Sequence, residues 1–526
     1  MLLAACVRSE AGPHHGHNSW TIPGVLRLGE DEEPDSLNPM YAHTAASDTI
    51  SGLLYSFLLR YDARGNPIPD LATEVPTLRN GGISSDGRTI VLHLRRSARW
   101  ADGAPLTAAD WLLTYRFVRD PRTAVKSTYG WDDIASAQAP NPYTLVIRLR
   151  RPSVAVLGIL AFGGTAYPPM PAHLLAGVRD LRENRYNEDP LSSGPYVLAR
   201  WNHGASLIFR PNRRYFRGVP PLNEIVWKVI PDVNTLSNEL ATHDVDVYPS
   251  VQANEVSRVR DVGGTVLIRR LVANWRHLGI NCSRPQLADV RVRQAIAEAV
   301  DWGRIERSVF HSLDRLAVSD IFPELWAAPS LPPYRYDPSD ARRLLAAAGW
   351  RPGADGILRK GALAMHLTIY ATSGHQENTE SQLLIQSMLR EVGIDVEVRN
   401  FAGSYLFAED GPLYTGRYDL EWSIETNGPD PDNSGDWNGI FIPPHGANTS
   451  WLNDAVVNAT SAAAASTFDP ARRKLLYQQE EERIRALVPA VFFSWQTDYT
   501  AMNADLENYE PAAFIGDSWN AWQWRI

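Results

Sequence analysis

The sequence predicts a mixed α/β protein of more than one domain, on three observations. At 526 residues, and with about 150 residues per domain, two to four domains are expected. Trp275 to Cys282 reads as a strand, and past the turn at Ser283-Arg284-Pro285 comes a helix with one apolar stripe. In it Val292, Ala295, Ile296, Ala299 and Val300 recur at i, i+3, i+4, i+7 and i+8, opposite Arg291, Arg293, Gln294 and Glu298, and Asp289 is placed to cap it. Third, a strand from Met365 to Ala371, a helix from Thr379 to Val392 closed by Gly393, and a strand from Ile394 to Arg399 make a βαβ unit, which calls for a parallel pair.

The remaining elements follow in order. Val25 to Gly29 is a short strand, Glu33 to Pro39 is turn-rich, and a helix is expected from Ser47 to about Leu59. Thr89 to Arg95 alternates as a strand after the Asp86-Gly87 turn. Thr107 caps a helix with Asp110 three residues on, so Asp110, like Asp102 in its Asp-Gly turn, is read as structural and not catalytic. Asp337-Pro338 opens a helix that stops at Gly349, and Asp355-Gly356 turns a hairpin. Asp469-Pro470 opens a helix that ends before Pro489, and Ala490 to Trp495 is a strand.

Composition excludes several classes. A content of 44% hydrophobic and 21% charged residues suits a packed soluble protein. The net charge of −9 argues against a nucleic-acid partner. Cys6 and Cys282 are too few for a disulfide scaffold. No stretch reaches the roughly 18 apolar residues of a membrane span, the best being Val154 to Ala166. No nucleophile elbow, zinc motif, Cys-x-x-Cys or phosphate loop occurs, so neither an enzyme nor a cofactor nor a metal is expected. His14, His15 and His17 fall in an aperiodic stretch that reads as a tether rather than a metal site. The chain is rich in Trp (17) and Tyr (20), whose rings suit clefts that hold varied ligands. Most belong to the core, and Tyr41, Trp131, Trp422 and Trp437, in turn-rich segments, are the candidate ligand contacts.

Leu278-Gly279-Ile280-Asn281 with Asp289-Val290-Arg291-Val292-Arg293-Gln294-Ala295-Ile296 closely resembles a signature of the solute-binding proteins of bacterial ABC importers, in the oligopeptide/dipeptide-binding family (family 5). Trp100-Ala101-Asp102-Gly103 through Asp110, and Ser193-Gly194-Pro195-Tyr196 with Ile225 to Ile230, extend the resemblance over nearly the whole chain. It implies a periplasmic-binding-protein-like fold of two lobes with a subdomain inserted in the first. The segments would be 1–23 tether, 24–50 lobe I, 51–164 inserted subdomain, 165–270 lobe I, 271–492 lobe II and 493–526 lobe I, with a hinge near Leu271 and Phe492.

The implied function is capture of a peptide outside the cytoplasmic membrane and delivery to the permease subunits of an ABC importer. The same role for an oligosaccharide, a nickel complex or an opine is the alternative, and a secreted hydrolase is the rival from another class. Leu3-Ala4-Ala5-Cys6 matches the bacterial lipobox. It implies a start upstream, a lipid on Cys6, and a monomer anchored in the periplasm or at the outer face of the membrane.

Peptide-binding relatives pair a carboxylate just after a strand and a Trp with the ligand's ammonium, which here gives Glu425 counted from Trp422, or Asn427 counted back from Asp430-Pro431-Asp432-Asn433. Asn38, in the loop behind the first strand, and Asp430 join the candidates. Glu425 equally suits the polar face of a strand on which Tyr418, Leu420, Trp422 and Ile424 alternate inward.

Overall fold

A computed structural model describes residues 17–163, 166–252, 254–514 and 516–526. Cys6, His14 and His15 therefore lie outside the described residues. The chain forms two compact units. One takes the residues up to Val272, Gly428–Asp430 and Asp498–Ile526, and the other takes Ala273–Asn427 and Pro431–Thr497.

Ten strands carry the frame: β1 (Val25–Glu30), β2 (Tyr196–Asn202), β3 (Ser206–Pro211), β4 (Glu224–Val229), β5 (Val247–Tyr248), β6 (Thr265–Ile280), β7 (His366–Thr372), β8 (Asp395–Phe401), β9 (Leu420–Thr426) and β10 (Ala490–Asn503). Five helices matter below: α1 (Ala108–Arg119), α2 (Val290–Ala299), α3 (Gln376–Glu391), α4 (Ser434–Trp437) and α5 (Pro470–Leu487). β6 and β10 are the two strands along which the chain passes from one unit to the other.

In the first unit β1 runs parallel to β4 and to β5, and β4, β3 and β2 follow as an antiparallel meander. The end of β10 pairs antiparallel with β5 through Val247 and Met502. Between β1 and β2 the chain builds two small three-stranded sheets, Leu59–Tyr61 with Pro67–Pro69 and Ala161–Phe162, and Thr89–His93 with Ile134–Asn141 and Thr144–Leu149. The expected helix from Ser47 to Leu59 is shorter, Ala45–Leu54. It stops because Ser56 is bonded to Ser193 through both its amide and its hydroxyl, and because Arg60 turns inward to Asp70 at 2.8 Å with both side chains fully buried.

In the second unit β7, α3 and β8 form the expected βαβ unit, with β7 parallel to β8 from His366↔Asp395 to Thr372↔Phe401. β7 also pairs parallel with β9, and β9 runs antiparallel to β6 from Asn274↔Thr426 to Ile280↔Leu420. The core gathers Leu278 and Ile280 of β6, Val292 and Ile296 of α2, Ile369 of β7, Ile385 and Leu389 of α3, Leu420 and Trp422 of β9, and Phe493 of β10. Each such side chain contributes about 1.5–3 kcal/mol when fully buried.

Local signals set the helix ends. Asp289 accepts from the amide of Arg291 at 3.0 Å, and Asp469 accepts from the amide of Ala471 at 3.0 Å, with Pro470 in first position. Asp110 at the start of α1 takes the Thr107 amide at 2.7 Å and the Ala172 amide at 2.8 Å, so both its oxygens serve the backbone. One helical residue departs from its pattern. Arg293, expected on the polar face of α2, is buried and donates to the carbonyls of Leu287 and Leu487 at 2.8 Å and of Ala288 at 3.1 Å. Leu487 ends α5, where unsatisfied carbonyls and the helix dipole favour a cation.

Candidate ligand-binding site

The antiparallel pairing of β6 with β9 decides what each side chain of this stretch meets. Side chains alternate across a strand, and the register sets Trp275 opposite Glu425, His277 opposite Ser423 and Gly279 opposite Glu421, all on one face. Leu278, Ile280, Leu420 and Trp422 point to the other face, into the core, where the Trp422 ring lies 5.1 Å from that of Phe493. Trp422 is therefore a core residue and not a neighbour of Glu425 on a ligand surface, and the inward alternation ends at Ile424, which is exposed.

On the polar face Glu421 and His277 are both buried, with His277 Nε2 at 3.5 Å from Glu421 Oε1. Gly279 makes room for this pair, because a Cβ there would lie 2.6 Å from Glu421 Cγ. Glu421 Oε2 and His277 Nδ1 are left without a partner. Glu425, four residues further along the same face, reaches solvent, and its carboxylate accepts no hydrogen bond from the described residues. The protein packed around it strips part of its hydration and raises its pKa, with Glu421 adding to the rise and His277 opposing it.

Asn427 follows β9 and has both amide atoms engaged. Its Oδ1 accepts from Trp275 Nε1 at 2.8 Å, and its Nδ2 donates to the carbonyl of Asp320. It ties the end of β9 to the wall of the site and leaves Glu425 as the free acceptor. Trp437, on α4, is buried, packs 6.4 Å from Trp275, and donates its indole N–H to Asp320 Oδ2 at 2.7 Å. Asn433, just before α4, donates to Asp320 Oδ2 at 3.1 Å and to Glu481 Oε1 at 2.9 Å.

Asp436, also on α4, escaped the sequence reading. It is half-buried, and its carboxylate has no hydrogen-bond or ion-pair partner among the described residues. Burial, then Glu425, Asp320 and Asp432, hold its pKa well above the usual carboxylate range. The half-buried Tyr414 phenol is raised by burial first and then by Glu425, Asp436, Glu421 and Glu409. Behind them on α5, Glu480 and Glu481 are fully buried, and neither oxygen of Glu480 has a partner. Burial is the largest cause of their strongly raised pKa values, reinforced for both by Asp320. In the sequence Glu480-Glu481 passes for the polar face of a helix, and only the packing of α5 reveals it as interior.

The other candidates belong to the first unit. Asn38 is fully buried, its Nδ2 donating to Asn187 Oδ1 at 2.9 Å and its Oδ1 accepting from the Met40 amide at 3.1 Å. Trp131 is fully buried between Trp111 at 5.4 Å and Tyr167 at 5.8 Å. Both hold the fold rather than present a surface. Tyr41 is partly exposed and donates to the Thr123 carbonyl at 2.9 Å, and burial above all pushes its phenol up to about 12. Asp430 is partly exposed. Among the described residues no group of three His, Cys, Asp or Glu side chains is arranged to hold a metal ion, and no helix is long and apolar enough to cross a membrane.

Glu425 and Asp436 thus carry carboxylates without a hydrogen-bond or ion-pair partner among the described residues. Residues 66–455 match the family described as bacterial extracellular solute-binding proteins, family 5 middle. The chain belongs to this family of solute-binding proteins. Among family 5 relatives, the oligopeptide-binding protein AppA of Bacillus subtilis is 27% identical over 97% of this chain and 94% of its own. A putative ABC transporter peptide-binding protein of Brucella ovis is 26% identical over 96% of this chain and 94% of its own. The fold recurs in solved structures of the family. That of AppA from B. subtilis with a nonapeptide has a TM-score of 0.75 at 24% identity, covering 96% of this chain and 99% of that one. That of NikZ from Campylobacter jejuni with Ni(L-His) has a TM-score of 0.76 at 24% identity, covering 96% and 100%. Those two structures hold ligands of different chemistry.

Proposed function

We propose that this family 5 protein captures peptides outside the cytoplasmic membrane and delivers them to the permease of an ABC importer, with Glu425 pairing with the peptide's amino terminus. The observation that carries the assignment of Glu425 is its state. It is a carboxylate that reaches solvent, has lost part of its hydration, and accepts no hydrogen bond from the described residues. An ammonium offers three donors and the opposite charge, and so restores what the carboxylate lacks. Asn427 cannot do this, since it carries no charge and both its amide atoms are already engaged. The relatives named for peptide and oligopeptide binding support the ligand class. Attachment to the membrane through a lipid on Cys6 is part of the proposal and rests on Leu3-Ala4-Ala5-Cys6.

The test is mass spectrometry of what co-purifies with the protein, followed by calorimetry. A mixture of short peptides is expected. Glu425→Gln should weaken a free-amine peptide by about 1.5–3 kcal/mol, the range for a hydrogen bond to a charged group, or roughly 10- to 150-fold in Kd. N-acetylation should cost the unmutated protein as much and the variant little more. Unchanged affinity of Glu425→Gln for free-amine peptides would remove Glu425 from this role.

A further inference from the structure

We infer that Asp320 and Glu481 share one proton, and that this proton locks the Trp275 wall beside Glu425. The wall holds while the proton is kept and loosens in alkali. Both carboxyl groups are fully buried. Asn433 bridges them, its Nδ2 donating to Glu481 Oε1 at 2.9 Å and to Asp320 Oδ2 at 3.1 Å. The two oxygens therefore stand no more than about 6 Å apart, the sum of the two bonds. At that separation, away from water, two carboxylates do not both stay ionised without a cation between them. The side chains bonded to them, Asn433 and Trp437, are uncharged. The donors also say which acid keeps the proton. Asp320 Oδ2 takes two N–H groups, from Asn433 and from Trp437 Nε1 at 2.7 Å, which favours negative charge there. Glu481 takes one, its Oε2 has no partner, and burial followed by Asp320 favours its protonated form.

The other charged and titratable groups nearby do not supply the missing cation. Glu480, next on α5, is fully buried with neither oxygen partnered, and Asp432 and Asp436 flank Asn433 in the chain. Tyr334 feels both Glu481 and Asp320, and Arg485 of α5 keeps its guanidinium over the Tyr334 ring while donating to the Pro332 carbonyl at 3.2 Å. Arg473, also of α5, lies over the rings of Trp326 and Tyr477. The pair is linked to the wall through hydrogen bonds. Asp320 accepts Trp437 Nε1 through its carboxylate and Asn427 Nδ2 through its main-chain carbonyl, and Asn427 Oδ1 accepts from Trp275 Nε1 at 2.8 Å. Trp275 stands opposite Glu425 in the register of β6 with β9, and its ring lies 6.4 Å from that of Trp437. Once the proton is lost, repulsion between the two carboxylates acts on Asp320, the residue that holds both indoles in place.

Nuclear magnetic resonance of the indole N–H groups tests this on the protein without ligand, so its outcome is separate from the peptide reading. The two signals are assigned by their loss in Trp275→Phe and Trp437→Phe. As pH is raised from about 6 to about 9.5, well above the ordinary range of a carboxyl, both should move together in the unmutated protein. They should stay still in Glu481→Gln, whose amide keeps an N–H where the acid holds its proton, and still move in Glu480→Gln. Infrared spectra at pH 7.5 should show the carbonyl stretch of a protonated carboxyl, and Glu481→Gln should weaken it. Glu481→Gln should melt no lower than the unmutated protein at that pH, whereas Asp320→Asn, which removes the charge that holds Trp437 and Asn433, should melt lower. An acid band unchanged in Glu481→Gln, or indole signals that move alike in that variant, overturns the inference. Movement lost in Glu480→Gln instead assigns the proton to Glu480 and overturns it too. Should Glu481→Gln fail to fold, absence of the acid band from the unmutated protein at pH 7.5 overturns it alone.

Discussion

Trp422 and Glu425 stand three residues apart on one strand and face opposite sides of it, Trp422 into the core against Phe493 and Glu425 toward solvent on the face shared with Trp275 and His277. A ligand that touches Glu425 does not touch Trp422. Shortening the indole to a phenyl should therefore act on stability alone. Trp422→Phe is expected to cost about 1–3 kcal/mol through the space it leaves, read as a lower denaturant midpoint, while calorimetric affinity stays within about twofold. A tenfold loss of affinity with intact folding would place the indole at the ligand.

Binding should weaken in acid. Glu425 has a raised pKa, from burial first and Glu421 second, and must be ionised to pair with an ammonium. The peptide amine stays charged below about pH 7.7, so acidification does not remove the ligand's charge. Affinity for a free-amine peptide should fall as pH is lowered through the raised value, and the fall should be shallower in Glu425→Gln. A flat profile from pH 7 to 5 in the unmutated protein contradicts this.

Glu480 offers a test in the opposite direction. Its folded pKa lies well above the usual value because it is buried near Asp320 and Asp432 with neither oxygen partnered. An unfolded glutamate titrates near 4.3. The stability linked to this group is thus fully present below about pH 4.3 and is lost as pH rises toward the folded value. Glu480→Gln, which cannot ionise, should melt higher than the unmutated protein at pH 8, by about 2–4 °C for each kcal/mol recovered, and should match it near pH 4.5. A variant that melts lower at both pH values would mean the carboxyl itself is needed.

The largely buried Arg270 holds two acids together. Its guanidinium lies 2.8 Å from Asp498 and 3.2 Å from Asp517, and donates to Thr500 Oγ1 at 3.1 Å. Burial raises the pKa of Asp498, and Arg270 is the largest influence opposing it. Arg270→Met would leave both carboxylates buried without their cation, which costs about 3–5 kcal/mol. Denaturant unfolding should show that loss, and it should shrink in acid as Asp498, whose pKa burial raises, takes up a proton. A cost below 1 kcal/mol at neutral pH would show that solvent replaces the ion pair.

Much of the frame could be read from the chain alone, because its signals are local. A cap needs only Asp289 or Asp469-Pro470 beside free amides, and Gly393 at φ +87° takes a backbone conformation that side chains disfavour. The βαβ unit followed from two strand patterns and a helix between them, and the resemblance to a known family rested on short contiguous segments. The alternation along β9 was legible too, as one of two readings, the other having both Glu425 and Trp422 touch the ligand.

What the chain could not say is which face would be covered, and by what. The helical repeat set Arg293 among polar residues, and only the approach of Leu487 at the end of α5 turned it inward as a cap for carbonyls. The strand signal of β6 began at Trp275, yet the strand starts at Thr265, because Asp498, Thr500 and Asp517 satisfy the Arg270 that breaks its apolar pattern. Asp436, Glu421 and His277 come from three separate segments, and Glu480 lies more than forty residues beyond Asp436 in the sequence. Periodicity tells which residues share a face. Desolvation is a sum over neighbours distant along the chain, so which acids are stripped of water, and left able to take a ligand's charge, is decided only by tertiary packing.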